Sequence, residues 1–381
     1  MSLPIAAAGP DVSGRASSEP ELDLFGMPIS VPTSPKRGRP ARRTVATRAA
    51  TATSSVAETA FSSSHDLSPT YSGALASAEH MAFALEQHPD YKVLRRLKPR
   101  MHFPAAAQGP CATVLLLDTE TTGLEANRER IIELALLRVQ VDLSTGQPVG
   151  DVQLYDGVED PGRPIPPAIT QLTGITDTQV CGQRLNEAEV ARLLDGVDVV
   201  IAHNASFDRP FVETRFPAFA HAAWACSWTD VDWKSAGHSS AKLAHLAASS
   251  GWFYEAHRAE ADCHALLAVL AQKHPTQTGS YLNCLWAAGQ QRHHKLYATG
   301  APFESKDVLK TRGYRWDGLQ KVWQQTLRSD AALEAELSWL ADTVYLGQTA
   351  RVRVETLDAR HRYSTRAGVV NVRLVGAGAL L

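Results

Sequence analysis

The chain has no Cys-x-x-Cys pair: its five cysteines, Cys111, Cys181, Cys226, Cys263 and Cys284, are scattered over 381 residues. That spacing argues against a zinc ribbon or a dense disulfide framework and suits a reducing compartment. Long hydrophobic runs are lacking as well. Stretches such as ALLAVLA near residue 268 fall well short of the ~18 apolar residues of a membrane-spanning helix, so no membrane partner is expected. Residues 1–20 hold Asp11 and Glu19 and lack a basic start followed by an apolar segment, which argues against a secretory leader and for a cytoplasmic location. No internal repeat is visible. Nor is there an excess of charge of one sign, since the formal net charge is −2. A uniformly basic or acidic surface is thereby excluded, while local basic stretches are not.

What is present is 44% hydrophobic and 20% charged residues, the composition of a soluble globular protein with a sizeable core. The length suits one core domain with appended pieces. Residues 1–75 are rich in Ser, Thr, Ala and Pro and bury too little apolar surface to offset their conformational entropy, so they read as a disordered arm. The arm carries six basic residues and no acidic one between Lys36 and Arg48. A second basic-leaning stretch, eight Lys or Arg against three acids, runs from Arg292 to Arg328. Local contacts to a polyanion fit this uneven distribution.

A first folded domain is expected over 76–275, with a helical lead-in at SAEHMAFALEQ. TVLLLD, IIELALLRVQVD and GQPVGDVQLYDG read as successive strands. NEAEVARLLDG is an amphipathic helix, VDVVIA a buried strand and SFDRPFVETRF another helix, while SAKLAHLAASSG and AEADCHALLAVLAQKH close the domain as helices. Strands followed by alternating helices and strands predict an α/β fold, a mixed sheet with helices on its faces. Residues 276–381 read as a small C-terminal α+β accessory module. Its parts are a strand at KLYAT, a helix at FESKDVLKTRG, a hairpin around Asp317-Gly318, a helix at AALEAELSWLADTVY and a strand at ARVRVETL.

The stretch VLLLDTETTGLE ends an apolar strand on Asp118 and Glu120. Side chains alternate along a strand, so the two carboxylates share one face with Thr119 on the other. Like charges that close raise one another's pKa. Either water hydrates the pair at a strand end or a divalent cation balances it. Asp208 lies just past the buried strand VDVVIA, in the first turn of the next helix. Asp262 lies in HRAEAD at the entry to the last long helix, with His257 before it and with Arg258 and Ala259 interrupting the acids. Gathering four carboxylates and a histidine from separate segments is costly without a cation.

LLLDTETTGL, AHNASFDRPF and HRAEADCHALL resemble the three signature motifs of the DEDDh exonucleases, the family of the bacterial proofreading epsilon subunit and of RNase T. LTGITD at 172–177 resembles the segment between the first two motifs, and the likeness covers roughly 112–273. The resemblance implies a ribonuclease-H-like exonuclease domain in which Asp118, Glu120, Asp208 and Asp262 hold two divalent ions, Mg²⁺ or Mn²⁺, with His257 as general base. Carboxylate oxygens suit such hard cations, and two of them ~3.5–4 Å apart stabilise both oxygens of an in-line phosphoryl displacement. A histidine with a pKa near ~6.5 can take a proton from water at neutral pH. By the same resemblance Thr121 and Leu124 hold the 3′-terminal nucleotide, Phe207 lies beside its base or sugar, and Asn204 orders the loop. Core packing is the other reading of Phe207.

The flanks add partners. KRGRP resembles the AT-hook core, which would place Arg37 and Arg39 in a minor groove; non-specific phosphate contact or solubility is the plainer reading. ELDLF resembles a sliding-clamp-binding peptide through Leu22, Leu24 and Phe25, although Glu21 stands where that motif usually has Gln. In the accessory module Lys310, Arg312, Tyr314, Arg315, Trp316, Lys321 and Trp323 form either a stacking platform for single strands or a small core with solvated basic edges. The expected function is a metal-dependent 3′ to 5′ exonuclease on single-stranded DNA or RNA 3′ ends. It would release nucleoside 5′-monophosphates, in replication, repair or proofreading; RNA trimming and a non-catalytic tethering adaptor are the alternatives.

Overall fold

The computed structural model describes residues 71–376 apart from residue 105. The arm residues Arg37 and Arg39 and the triplet Leu22, Leu24 and Phe25 lie outside the described residues. Helix α1 spans Tyr71–Glu86, and from Ala82 onward the chain forms one compact unit.

Five strands make the first sheet: β1 Cys111–Thr121, β2 Ile131–Asp142, β3 Gln147–Val158, β4 Val199–Ala202 and β5 Trp224–Cys226, in the order β3-β2-β1-β4-β5. The first three pair antiparallel, while β4 and β5 add in parallel to β1. This is the mixed α/β sheet that the pattern predicts. Helices α2 Glu187–Leu194, α3 Ala205–Arg215, α4 Leu243–Ser249, α5 Ala259–Leu270 and α6 Tyr281–Gly289 cover it. The Asn186 side chain caps α2 by accepting from the Glu189 N–H, which satisfies one of the donors a helix start leaves free.

Alternation along β1 assigns the layers. Val114 and Leu116 face α4, α5 and α6 through Leu246, Leu266, Leu270 and Leu285. Leu115 and Leu117 face the other way, onto Leu193, Phe211, Phe219 and Trp224. Each such fully buried side chain contributes roughly 1.5–3 kcal/mol, so the register of β1 is firmly held and with it the direction in which Asp118 and Glu120 point. The sequence pattern did not reveal β5 or α6. Strand β5 is only three residues long, and α6, in the stretch assigned to the accessory module, buries Tyr281, Leu282 and Leu285 in the first core.

A second, antiparallel sheet contains β6 His293–Ala298, β7 Arg315–Asp317, β8 Val322–Leu327, β9 Ala350–Leu357 and β10 Val369–Val375, in the order β10-β9-β6-β8-β7. Helices α7 Lys306–Arg312 and α8 Asp330–Trp339 accompany it. Left-handed Gly313 (φ 104°) ends α7, and the Ser329 hydroxyl caps α8. The hairpin expected around Asp317-Gly318 forms by a different turn. The Asp317 carboxylate accepts from the Leu319 and Gln320 N–H groups, and Lys321 rather than Gly318 takes the left-handed conformation (φ 51°). The helix expected over 331–345 is α-helical to Trp339 and widens into a π turn over Leu340–Val344.

Residues 358–366 of the connection between β9 and β10 do not stay with the second sheet. The Ala359 carbonyl accepts from the Trp224 N–H at the free edge of β5 (2.8 Å), covering backbone that would otherwise present an open sheet edge. Arg362 is 1% exposed and donates to the carbonyls of Trp224 (2.8 Å) and Gly289 (3.2 Å), with Asp230 at 3.4 Å.

Candidate active site

Strand β1 carries Asp118 and Glu120 on the face shared with α5, and the register of β1 against β2 shifts just after Glu120. Oxygens of Asp118, Glu120 and Asp262, the last from the first turn of α5, all lie within 4.8 Å of one another. Asp208, from the first turn of α3 on the opposite face, is not one of these three. Its Oδ1 accepts from the N–H (3.1 Å) and hydroxyl (2.8 Å) of Thr119, the residue that points away from the carboxylate pair. The four acids therefore approach the end of β1 from both sides of the sheet.

These carboxylates hold their protons unusually tightly. Burial, followed by the charges of Asp262, Asp208, Glu120 and Glu133, raises Asp118 well above the ordinary range. Burial and then Asp262, Glu133 and Asp208 push Glu120 up to about 9. Burial carries Asp208 up to about 7 in spite of the Thr119 hydrogen bonds. Asp262 is raised, again by burial, although Tyr254 and two backbone N–H groups oppose the shift. Like charges in a low-dielectric site cannot all ionise together unless a counter-charge arrives. An all-carboxylate donor set suits a hard dication rather than a soft metal.

His257 precedes α5 in a left-handed conformation (φ 67°). Its backbone N–H donates to Asp262 Oδ2 at 2.8 Å and the Arg258 N–H donates to the same oxygen at 3.2 Å, while the Tyr254 hydroxyl donates to Oδ1 at 2.8 Å. The turn that presents His257 is thus tied to a site carboxylate. A further acid adjoins these groups, one that local sequence rules do not mark. Glu133, fully buried and directly opposite Glu120 in the β1/β2 register, accepts from Arg258 Nη2 (2.7 Å) and Nε (3.0 Å) and from the Ala259 N–H (2.9 Å). Arg258 is therefore more than an interruption between acids: its cation is committed to Glu133. The signal was a lone charge within the apolar strand IIELALL.

The remaining residues fall nearby. The Thr121 hydroxyl donates to the Gly123 carbonyl at 2.6 Å, and Leu124 is exposed. Asn204 takes the left-handed conformation (φ 78°) that starts α3, without a side-chain cap. Phe207 is half-buried, its ring 5.2 Å from Phe211 against the core. In the second sheet Tyr314 is buried, Arg312 pairs with Glu336 and lies over Trp339, and Trp323 packs on that core. Trp316 stays 52% exposed, edge-on to Trp323 at 5.5 Å. Lys310, Arg315 and Lys321 are exposed. This group joins a small core to a single open ring.

An acid cluster stands at the end of a buried strand, approached from both faces of a mixed sheet, and its carboxylates could hold a metal ion. Residues 115–270, less than half of the chain, match the exonuclease family model RNase_T. The PolC-type DNA polymerase III of Listeria welshimeri is 37% identical over 107 residues, which cover 28% of this chain and 7% of that protein. The chain thus spans under a tenth of that relative's length. The epsilon subunit of DNA polymerase III of Treponema pallidum is 29% identical over 179 residues, 44% of this chain and 80% of that one. Among solved structures, exonuclease X in complex with 5′-overhanging duplex DNA is 24% identical with a TM-score of 0.32, covering 41% of this chain and 88% of its own. The zinc-bound E. coli ExoI–ssDNA complex is 19% identical with a TM-score of 0.36, covering 50% and 48%. Among the described residues no helix is long and apolar enough to cross a membrane.

Proposed function

We propose that this protein is a metal-dependent 3′ to 5′ exonuclease that removes nucleoside 5′-monophosphates from DNA ends in replication or repair in the cytoplasm. The observation that carries the reading is the convergence of Asp118, Glu120 and Asp262 oxygens within 4.8 Å, in surroundings that raise the pKa of every one of them. Asp118, Glu120, Asp208 and Asp262 would hold two divalent ions. When bound, such ions supply positive charge to the attacking and departing oxygens of a phosphodiester.

The chain's own groups do the rest. His257 accepts the proton of the attacking water, held in place by the bond from its N–H to Asp262. Thr121 and Leu124 border the 3′-terminal nucleotide. Phe207 offers a ring edge to its base or sugar, a contact tolerant of base identity, and Asn204 sets the turn from which Phe207 projects. In the arm, Arg37 and Arg39 contact the phosphates of longer DNA, and Leu22, Leu24 and Phe25 form a peptide for the sliding clamp.

The test follows 5′-labelled single-stranded DNA and RNA with Mg²⁺, Mn²⁺ or EDTA, beside Asp118→Asn. The expected result is a ladder shortening from the 3′ end, faster on DNA, abolished by EDTA and by the substitution. Preference for RNA would replace replication with RNA trimming, and intact substrate under every metal condition would overturn the nuclease and leave the tethering adaptor.

A further inference from the structure

Asp208 is followed by Arg209, a side chain 0% exposed whose guanidinium points away from the acid cluster into the 358–366 connection. It donates through Nη1 to the Arg362 carbonyl (2.6 Å) and through Nη2 to the Arg360 carbonyl (2.6 Å). Its Nε donates to Glu213 Oε1 (2.6 Å), one turn along α3. Glu213 in turn accepts from Ser364 (2.7 Å) and Arg366 (3.4 Å). The planar fork of Arg, with several donors at fixed angles, makes this an oriented grip rather than a diffuse attraction.

The turn that carries Asp208 needs such a grip. Pro210 sits inside α3; it has no N–H to offer the carbonyl four residues back, and its ring crowds that carbonyl. The first turn is therefore held less by its own helix than by neighbours on either side. On one side Thr119 bonds the Asp208 carboxylate, and on the other the 358–366 connection bonds Arg209.

We propose that Arg209, gripped by residues 358–366, is a positioning residue that sets the Asp208 carboxylate in the acid cluster, so that the second sheet's connection is part of the metal-holding machinery. The proposal rests on the reading of Asp208 as a metal-holding carboxylate. It makes the β9–β10 connection responsible for geometry at the opposite face of α3. Partners that act through a neighbouring group typically change metal affinity by roughly 10–100-fold when altered.

The experiment measures Mn²⁺ affinity by calorimetry, and thermal melting in EDTA, on the full chain with Arg209→Lys and, separately, Arg366→Ala. Arg209→Lys keeps the charge and loses the fork. Arg366 is 39% exposed at its side chain, so its removal loosens the grip without burying an unpaired group. The expected result is folded protein with Mn²⁺ affinity weakened roughly 10-fold by Arg209→Lys and by a smaller factor by Arg366→Ala. A purely structural role would lower the melting temperature and leave the affinity of the folded molecules unchanged, and that outcome overturns the proposal. If Arg209→Lys does not fold, Arg366→Ala decides by the same criterion. Wild-type protein that binds no Mn²⁺ would instead take down the site reading itself.

Discussion

Two regions of the molecule bury charge and treat it in opposite ways. At the β5 edge the buried cations Arg209 and Arg362 are matched in full view of the fold: backbone carbonyls take most of their donors, and Glu213 and Asp230 stand beside them. His293, whose pKa burial and Arg362 lower to about 4, stays neutral there and sits 3.2 Å from the guanidinium. At the end of β1, by contrast, four carboxylates converge, and Arg258, whose charge acts on Glu120, is already bonded to Glu133. One region is electrostatically closed and the other is left open for a charge from outside. The contrast between the two, more than the presence of acids, marks the second as a site.

The comparison can be broken at either end. The largest effect is expected in the closed region: Arg362→Met should lower folding stability by about 3–5 kcal/mol, because it takes the cation from buried Asp230 and a donor from the Trp224 and Gly289 carbonyls; denaturant unfolding measures it. In the open region Asp118→Asn should reduce kcat by on the order of 10²–10³-fold. In EDTA it should nevertheless raise the melting temperature, since a repelled carboxylate is removed. Loss of stability there would deny that the cluster is unbalanced. Arg258→Gln should cost roughly 10–100-fold in metal affinity by releasing Glu133 and loosening the His257 turn, with little change in the far-ultraviolet spectrum.

The smallest effect is a slope with pH. A carboxylate whose pKa is higher folded than unfolded binds more protons in the native state, so it favours folding at low pH and loses that contribution as pH rises. For Asp208 the window runs from 3.8 to about 7, and for Glu120 from 4.5 to about 9. Melting temperature in EDTA should therefore decline across this range, and the gain from Mg²⁺ should grow across it. A flat difference between the two series would mean that the acids and the metal are not linked.

Much of the site is legible in the sequence because it depends on local rules. Alternation in VLLLDTE places Asp118 and Glu120 together, and a buried strand followed by a helix start places Asp208 within reach. The same rules explain the order of strands and helices up to α5. What the sequence conceals depends on contacts between distant segments. Glu133 becomes part of the site only through its register opposite Glu120 and the return of Arg258 from 125 residues away. Strand β5 has too few residues to show a period, and α6 looks like a linker until its Tyr281 and Leu285 are seen in the core. The 358–366 connection has no hydrophobic pattern at all; its tie to α3 is made by carbonyls, which every sequence has.

Whether the acids at the end of β1 await a cation is decided by a Mn²⁺ titration of the full chain near pH 7.5, about the neutral range in which carboxylates with raised pKa values keep protons, repeated in buffers of different ionisation enthalpy. The expected result is saturable binding accompanied by proton release, with both lost in Asp118→Asn. Binding without proton release, or no binding by the wild-type protein, would contradict it.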